Sequence, residues 1–310
     1  MGGSYYDAGD YSRYATTVKQ TINTQGRQAV FKQVGCHADM EPKGLKFREA
    51  FDNAANPNST PIIIGLDVTG SMGDIPEYMI KEGLGVLFTS ILDRNPVTNP
   101  QILLAGIGDI DCDRAPVQIG QFEADNGITQ WLEKMYLEGG GGGNGKESYE
   151  MMYYFAAYHT KCDASIKRNQ KGFIFTIGDD NPNSIIDRKH VEKVFGYKPE
   201  ADIPFIDLMT KVRQSWIPYH IIPTRTSNLF GGSSAYGQMK KNWSQYLGEN
   251  VVELDDYTKL SELITSLLEM HAGKTAAQVT QSWSGSTAVT IGNALNGLTT
   301  QQASKGVMKF

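Results

Sequence analysis

Long apolar runs, paired cysteines and an excess of positive charge are all missing from this chain of 310 residues. No stretch approaches the ~18 apolar residues that span a bilayer, and the opening "MGGSYYDAGDYSRY" lacks the apolar centre of a secretory signal. The expectation is a cytosolic protein that stays out of membranes. The three cysteines, Cys36, Cys112 and Cys162, are odd in number and form no C-x-x-C pair, which leaves no basis for a disulfide framework or a cysteine zinc site. The five histidines, His37, His159, His190, His220 and His271, never pair at i, i+4 as helix-borne zinc ligands do. A formal net charge of −5 gives no overall electrostatic reason to bind nucleic acid.

What is present is enough apolar sequence for a full core, with 40% hydrophobic and 20% charged residues. Residues 1–57 read as an N-terminal extension, whose first 28 are polar and show no sustained period. From "PIIIGLD" onward, short apolar runs alternate with helical stretches. That alternation is the signature of β-α-β units and predicts an α/β fold, a doubly wound, mostly parallel central sheet flanked by helices, over residues 58–272. Ile80, Leu84, Leu87, Phe88 and Ile91 mark a helix after the first strand, with Asp74 at its N-cap and Pro76 in its first turn. "QILLAGIGD", "KGFIFTIGDD", "IPYHIIP" and "NVVEL" read as further buried strands, and "PVQIGQF" as a short edge hairpin beside the first of these. Residues 181–203 are too long for an ordinary connection and are expected to be an inserted surface segment with a short helix. Residues 273–310, poor in large apolar side chains, read as a C-terminal extension outside the core.

The chemistry gathers at the ends of strands. In an open α/β sheet, ligands collect outside the carboxyl ends of the strands, so residues after "IIIGL" and "FIFTI" face one crevice. Asp67, Thr69, Ser71 and Asp179 are therefore expected to meet there. Carboxylates and hydroxyls make a hard, all-oxygen, incompletely neutralised shell, which suits Mg2+ or Mn2+ with positions left open for a carboxylate from elsewhere. Taken one at a time, Asp67, Thr69 and Ser71 have a plainer reading as turn residues satisfying local backbone donors. Strand alternation does not choose between Asp179 and Asp180, and Asp179 is preferred because it lies nearer the strand's end.

"DVTGSMGD" resembles the D-x-S/T-x-S motif of the von Willebrand factor type A domains, whose metal-ion-dependent adhesion site follows the first strand. The resemblance covers residues 58–272, with "GGGGGNGKES" standing where the family has a second loop and "TIGDDNPN" where it has a later aspartate. It implies a non-catalytic, cation-dependent module in which Asp67, Thr69 and Ser71 hold the ion and Asp179 closes the far side. A partner protein would offer Asp or Glu to that ion, and a ring ATPase is a partner such cytosolic modules often serve. Neither nucleic acid nor membrane is implied. Asn144 departs from the family's Thr or Asp, and either its amide oxygen or the carboxylate of Glu147 is left to complete the site.

Three alternatives compete. A scaffold role through the terminal extensions leaves the metal site vestigial. A P-loop fits "GGGGNGKE" until Glu147 falls where Ser or Thr should bind Mg2+, and these glycines follow a helix rather than a strand. A haloacid-dehalogenase-like phosphatase would use Asp109 as nucleophile and Asp111 as acid/base, but it places Asp113 where Thr or Val belongs and leaves "DVTGS" unexplained. Otherwise Asp109, Asp111 and Asp113 read as a solvated turn at the site's rim.

Overall fold

The computed structural model of the chain describes residues 6–139, 146–224, 226 and 233–298. Its strands are β1 (Arg48–Ala50), β2 (Thr60–Asp67), β3 (Pro100–Ile107), β4 (Val117–Ile119), β5 (Thr160–Cys162), β6 (Gly172–Ile177), β7 (Ile185–Ile186), β8 (Ile203–Pro204), β9 (Trp216–Pro223) and β10 (Val251–Leu254). The first helices are α1 (Ala8–Gln25), α2 (Ile75–Tyr78), α3 (Leu84–Arg94), α4 (Thr129–Lys134), α5 (Tyr149–Tyr158) and α6 (Asp163–Arg168). They are followed by α7 (Arg188–Phe195), α8 (Phe205–Ser215), α9 (Ser233–Leu247), α10 (Leu260–His271), α11 (Ala276–Gln281) and α12 (Gly285–Leu295). None of the described helices is long and apolar enough to cross a membrane.

Six strands form the central sheet in the order β10-β9-β6-β2-β3-β4. Neighbours from β10 to β3 run parallel, and β4 lies antiparallel on β3 at the edge. The architecture is α/β, a central sheet flanked by helices, but the sheet is mixed where a mostly parallel one was expected. The reason is the short link from β3 to β4, which permits only a hairpin return, whereas a parallel return needs a long crossover. The segment 181–203 carries the short helix α7 between β7 and β8, which pair antiparallel.

The period of two in β2 sorts its side chains onto two faces. Ile62, Ile64 and Leu66 enter one hydrophobic core with α3 and α10, while Ile63 enters the other with α5 and α8. Gly65 lies on the second face, where an added Cβ would stand 2.9 Å from Ile107 Cδ1 and 3.2 Å from Met152 Cγ. Its absence of a side chain lets α5 lie close against the sheet. By the same count, Asp67 is carried to the α5 face.

The two ends of the chain pack more closely than their composition suggests. In α1, Tyr11 and Val18 are buried, and Tyr14, Ala15 and Ile22 pack partly against the same core. That is a helical stripe at i, i+3, i+4, i+7 and i+11, where no sustained period was expected. Asp7 caps it, its Oδ1 accepting from Asp10 N at 2.7 Å. Beyond residue 273, α11 opens on a capping box of Thr275 and Gln278, and Val279, Ile291 and Leu295 are buried in the α10 core. Trp283 Nε1 donates to Ser266 Oγ at 2.9 Å, and the Arg94 guanidinium lies 4.0 Å from its ring centroid. These residues therefore belong to the core, contrary to the expectation of an extension outside it.

The tightest of these seams is α1 on α3, where a Cβ at Gly85 would fall 2.3 Å from the Tyr11 ring. Truncating Tyr11 to Ala should cost roughly 3 kcal/mol in urea denaturation, as expected for loss of a buried aromatic ring. A cost below about 1 kcal/mol would mean that α1 contributes little to the core.

Candidate functional site

The strand β2 is the turning point of the sheet, pairing with β3 on one side and β6 on the other. Its carboxyl end therefore opens on the crevice at a topological switch point. There Asp67, fully buried, accepts through Oδ1 from Thr69 N at 2.9 Å and from Thr69 Oγ1 at 2.6 Å. This bends the chain into the 3-10 turn Gly70–Met72, which ends at Gly73 with φ +54°. The positive φ is where glycine is needed in this loop. The turn brings Ser71 Oγ to 3.2 Å from Thr69 Oγ1, and Ser71 Oγ donates to Asp179 Oδ1 at 2.8 Å.

The structure thus brings Asp67, Thr69, Ser71 and Asp179 together. Asp179 is buried at the end of β6. Asp180 is only partly buried, and its backbone carbonyl accepts from Trp243 Nε1 at 3.0 Å. Asn144 lies outside the described residues, as do the glycines of 140–145. Asp109, Asp111 and Asp113 close a turn on themselves: Asp109 Oδ1 accepts from Asp111 N at 2.9 Å and Asp113 Oδ2 from Asp109 N at 2.7 Å. They form a turn as expected, but not a solvated one throughout: Asp111 is exposed, whereas Asp109 is buried.

Sequence reasoning missed Tyr149. Its hydroxyl donates to Asp67 Oδ2 at 2.7 Å, so both carboxylate oxygens of Asp67 are held. The signal was positional: Tyr149 is the first residue of the helix after the glycine run, at the crevice end of the sheet, but "YEMMYYFAAY" reads as core throughout. Also missed was a groove of about 720 Å3 beside the loop, floored by Val68, Thr69, Gly70 and Gly73. One wall is the segment from Arg27 to Val34 and the other runs from Tyr136 to Gly139.

Electrostatically the crevice is acidic and strained. Burial, reinforced by Asp179, pushes the Asp67 carboxyl up to about 7, against hydrogen bonds from Thr69 and Tyr149. Burial likewise lifts Asp180 to about 7, with Asp179 and Asp109 adding repulsion. Glu147, buried beside this group, is raised well above the carboxylate range, first by desolvation and then by Asp67. Glu147 Oε2 has no hydrogen-bond partner among the described residues. A hard divalent cation suits this donor set, because it offsets several carboxylates at once and takes oxygen ligands. Among the described residues, however, no three Asp, Glu, His or Cys side chains converge as direct ligands of one ion. Direct protein ligands would therefore have to include hydroxyls.

The fold and site define an α/β protein with a carboxylate–hydroxyl cluster at the switch point of its sheet. No protein-family model matches the chain, and no curated protein matches it. Among solved structures it is similar to the pilus adhesin SpaC of Lactobacillus rhamnosus GG in an open conformation, at 9% identity and TM-score 0.47, over 76% of this chain and 33% of that one. It is similar to proximal thread matrix protein 1 of the mussel byssus at 12% identity and TM-score 0.42, over 75% and 47% of the two chains. A von Willebrand factor type A structure from Catenulispora acidiphila is similar at 11% identity and TM-score 0.41, over 78% and 53%. The chain spans about a third of the adhesin's length and about half of the other two. These are likenesses of outline, and the functional reading stands on the site alone. A pilus adhesin and a byssus matrix protein stand among these structural neighbours, and the expected cytosolic placement is not retained.

A carboxyl whose folded pKa is raised keeps a proton that the unfolded chain has released, so its stabilisation is complete below about pH 4 and is lost as pH rises through the folded value. Asp67, Asp180 and Glu150, each raised to about 7, act in this sense. His271, lowered to about 4 by burial, acts in the opposite sense and loses its contribution as pH falls below 6.5. Comparing two variants at each pH cancels the histidine. In chelator-treated protein, Asp67→Asn should gain roughly 1–3 kcal/mol over the parent between about pH 5 and pH 8. A difference independent of pH in urea denaturation would remove the buried Asp67 charge as a source of strain.

Proposed function

We propose that the chain is a non-catalytic protein-binding module of the von Willebrand factor type A kind, with that family's doubly wound sheet. In this reading Asp67, Thr69, Ser71 and Asp179 hold Mg2+ or Mn2+, and the ion takes an Asp or Glu carboxylate from a partner protein. The observation that carries it is the Ser71 Oγ–Asp179 Oδ1 hydrogen bond of 2.8 Å, which closes the loop after β2 against the end of β6 across 108 residues of sequence.

The bound ion supplies electrostatic attraction for an incoming carboxylate and a coordination position that the partner completes. The chain's own residues do the rest. Asp67 Oδ1 orients the Thr69 hydroxyl and fixes the turn that presents Ser71. Tyr149 holds the other oxygen of Asp67, which keeps the carboxylate from rotating away. The groove beside Thr69 and Gly70 gives a partner segment a path to the cluster, past the exposed Lys32 and Val34. Nothing in this arrangement needs a nucleophile or a general acid.

Ligand linkage tests the reading. At pH 8, after chelation, saturating Mg2+ or Mn2+ should stabilise the parent by about 2.7 kcal/mol when present at a hundredfold excess over its dissociation constant. Asp67→Asn and Ser71→Ala should abolish that gain while remaining folded by circular dichroism. Capture of a partner should fail in chelator and return with the cation. A parent protein whose melting and partner capture ignore both cations would overturn the proposal.

A further inference from the structure

We propose that Glu147 is the outer carboxylate of this cation site, gripping the ion's water shell rather than the ion, and so supplying the charge that Asn144 does not bring. The inference rests on the metal-site reading above and concerns which residues of this chain complete it.

Three observations lead there. The backbone around Glu147 is clamped from both sides of the crevice. Lys146 forms a parallel bridge with Asn181 in the loop after β6, while Ser148 N donates to Gly108 O at 3.0 Å and Ser148 Oγ accepts from Ile110 N at 2.9 Å. Glu147 is therefore fixed between the loops that follow β3 and β6, and its side chain is only 4% exposed. Next, its Oε2 is buried and without a hydrogen-bond partner among the described residues. No N–H of the first turn of α5 donates to that oxygen, so capping the helix does not account for its burial. Finally, the charges acting most strongly on it are the carboxylates of Asp67, Asp113, Asp180 and Asp109, all negative. A buried, unsatisfied carboxylate among carboxylates is costly, and a hydrated divalent cation relieves it.

The water-mediated role follows from the geometry. No three acidic side chains among the described residues converge as direct ligands, which favours a place for Glu147 outside the inner shell of Asp67 and Asp179. Mg2+ dehydrates reluctantly and keeps several waters, which need acceptors. Groups that accept from such waters orient the shell, and their loss typically weakens metal affinity by about 10–100-fold.

The test titrates the full-length chain with Mn2+ alone, reading free ion by electron paramagnetic resonance and inner-shell waters by proton relaxation. Glu147→Gln keeps the shape and removes the charge. Its Mn2+ dissociation constant should rise about tenfold or more, with an unchanged count of inner-shell waters and a metal-free melting temperature no lower than the parent's. Affinity within twofold of the parent, in an assay where Asp67→Asn still abolishes binding, would overturn the role of Glu147 and leave the site standing. One additional inner-shell water in Glu147→Gln would show direct ligation and overturn the water-mediated role. A parent chain that binds no Mn2+ would overturn the site itself, and with it this inference.

Discussion

The buried carboxylate of Asp67 is the constraint around which this structure is arranged. A carboxylate with no exposed surface must be either neutral or compensated, since burial in a low-dielectric interior penalises charge far more than any single hydrogen bond restores. Here Thr69 and Tyr149 satisfy its oxygens without neutralising it, and Asp179 stands close enough to oppose its ionisation. A core strand that served only packing would gain nothing by ending this way. The strain is consistent with a site that waits for positive charge.

The scaffold keeps that strain in place. Trp243 on α9 donates to the Asp180 carbonyl, and Asn242 Nδ2 donates to Asn181 Oδ1 at 2.9 Å, so α9 pins the loop after β6. The Trp243 ring stacks on His220 with centroids 3.7 Å apart, and Tyr149 meets both rings edge-on. His220 in turn shares a 2.8 Å hydrogen bond with Thr176 on β6. An aromatic layer thus runs beneath the cluster and ties α5, α9, β6 and β9 to one another. Buried, mutually supporting contacts of this kind let the hydroxyls and carboxylates above them hold position without a ligand.

The terminal helices bear on which surfaces of the fold remain open. Because α1, α11 and α12 bury apolar side chains in the core shared by α3 and α10, their inward faces are already occupied and are not free as docking arms. The segment leaving α1 instead runs past the loop after β2, where Arg27 donates to the Gly73 carbonyl at 3.1 Å and helps wall the groove. The N-terminal region thereby shapes the approach to the crevice from one side.

Much of this was legible in the residues, and the division has a physical basis. The strands "PIIIGLD", "QILLAGIGD" and "KGFIFTIGDD" announce themselves because a strand buried on both faces must be apolar along its length. The turn from Asp67 to Ser71 is legible because its chemistry is local, a carboxylate reaching a hydroxyl and an N–H two residues on. The stripe of α1 was not read, although Tyr11, Tyr14, Ala15, Val18 and Ile22 keep a helical spacing, because tyrosine and alanine among polar neighbours do not stand out as leucine and isoleucine do. The edge strand β4 was legible as a hairpin partner of β3, because so short a link allows only an antiparallel return. Sequence by itself determined which side chains end the strands and bend the loops, because those follow from propensity and neighbours. Only the tertiary structure decided that Asp179 meets Ser71, that Tyr149 holds Asp67 and that Glu147 Oε2 is buried without a hydrogen-bond partner among the described residues. These contacts join segments far apart in the chain, and their geometry is set by how the sheet and helices pack.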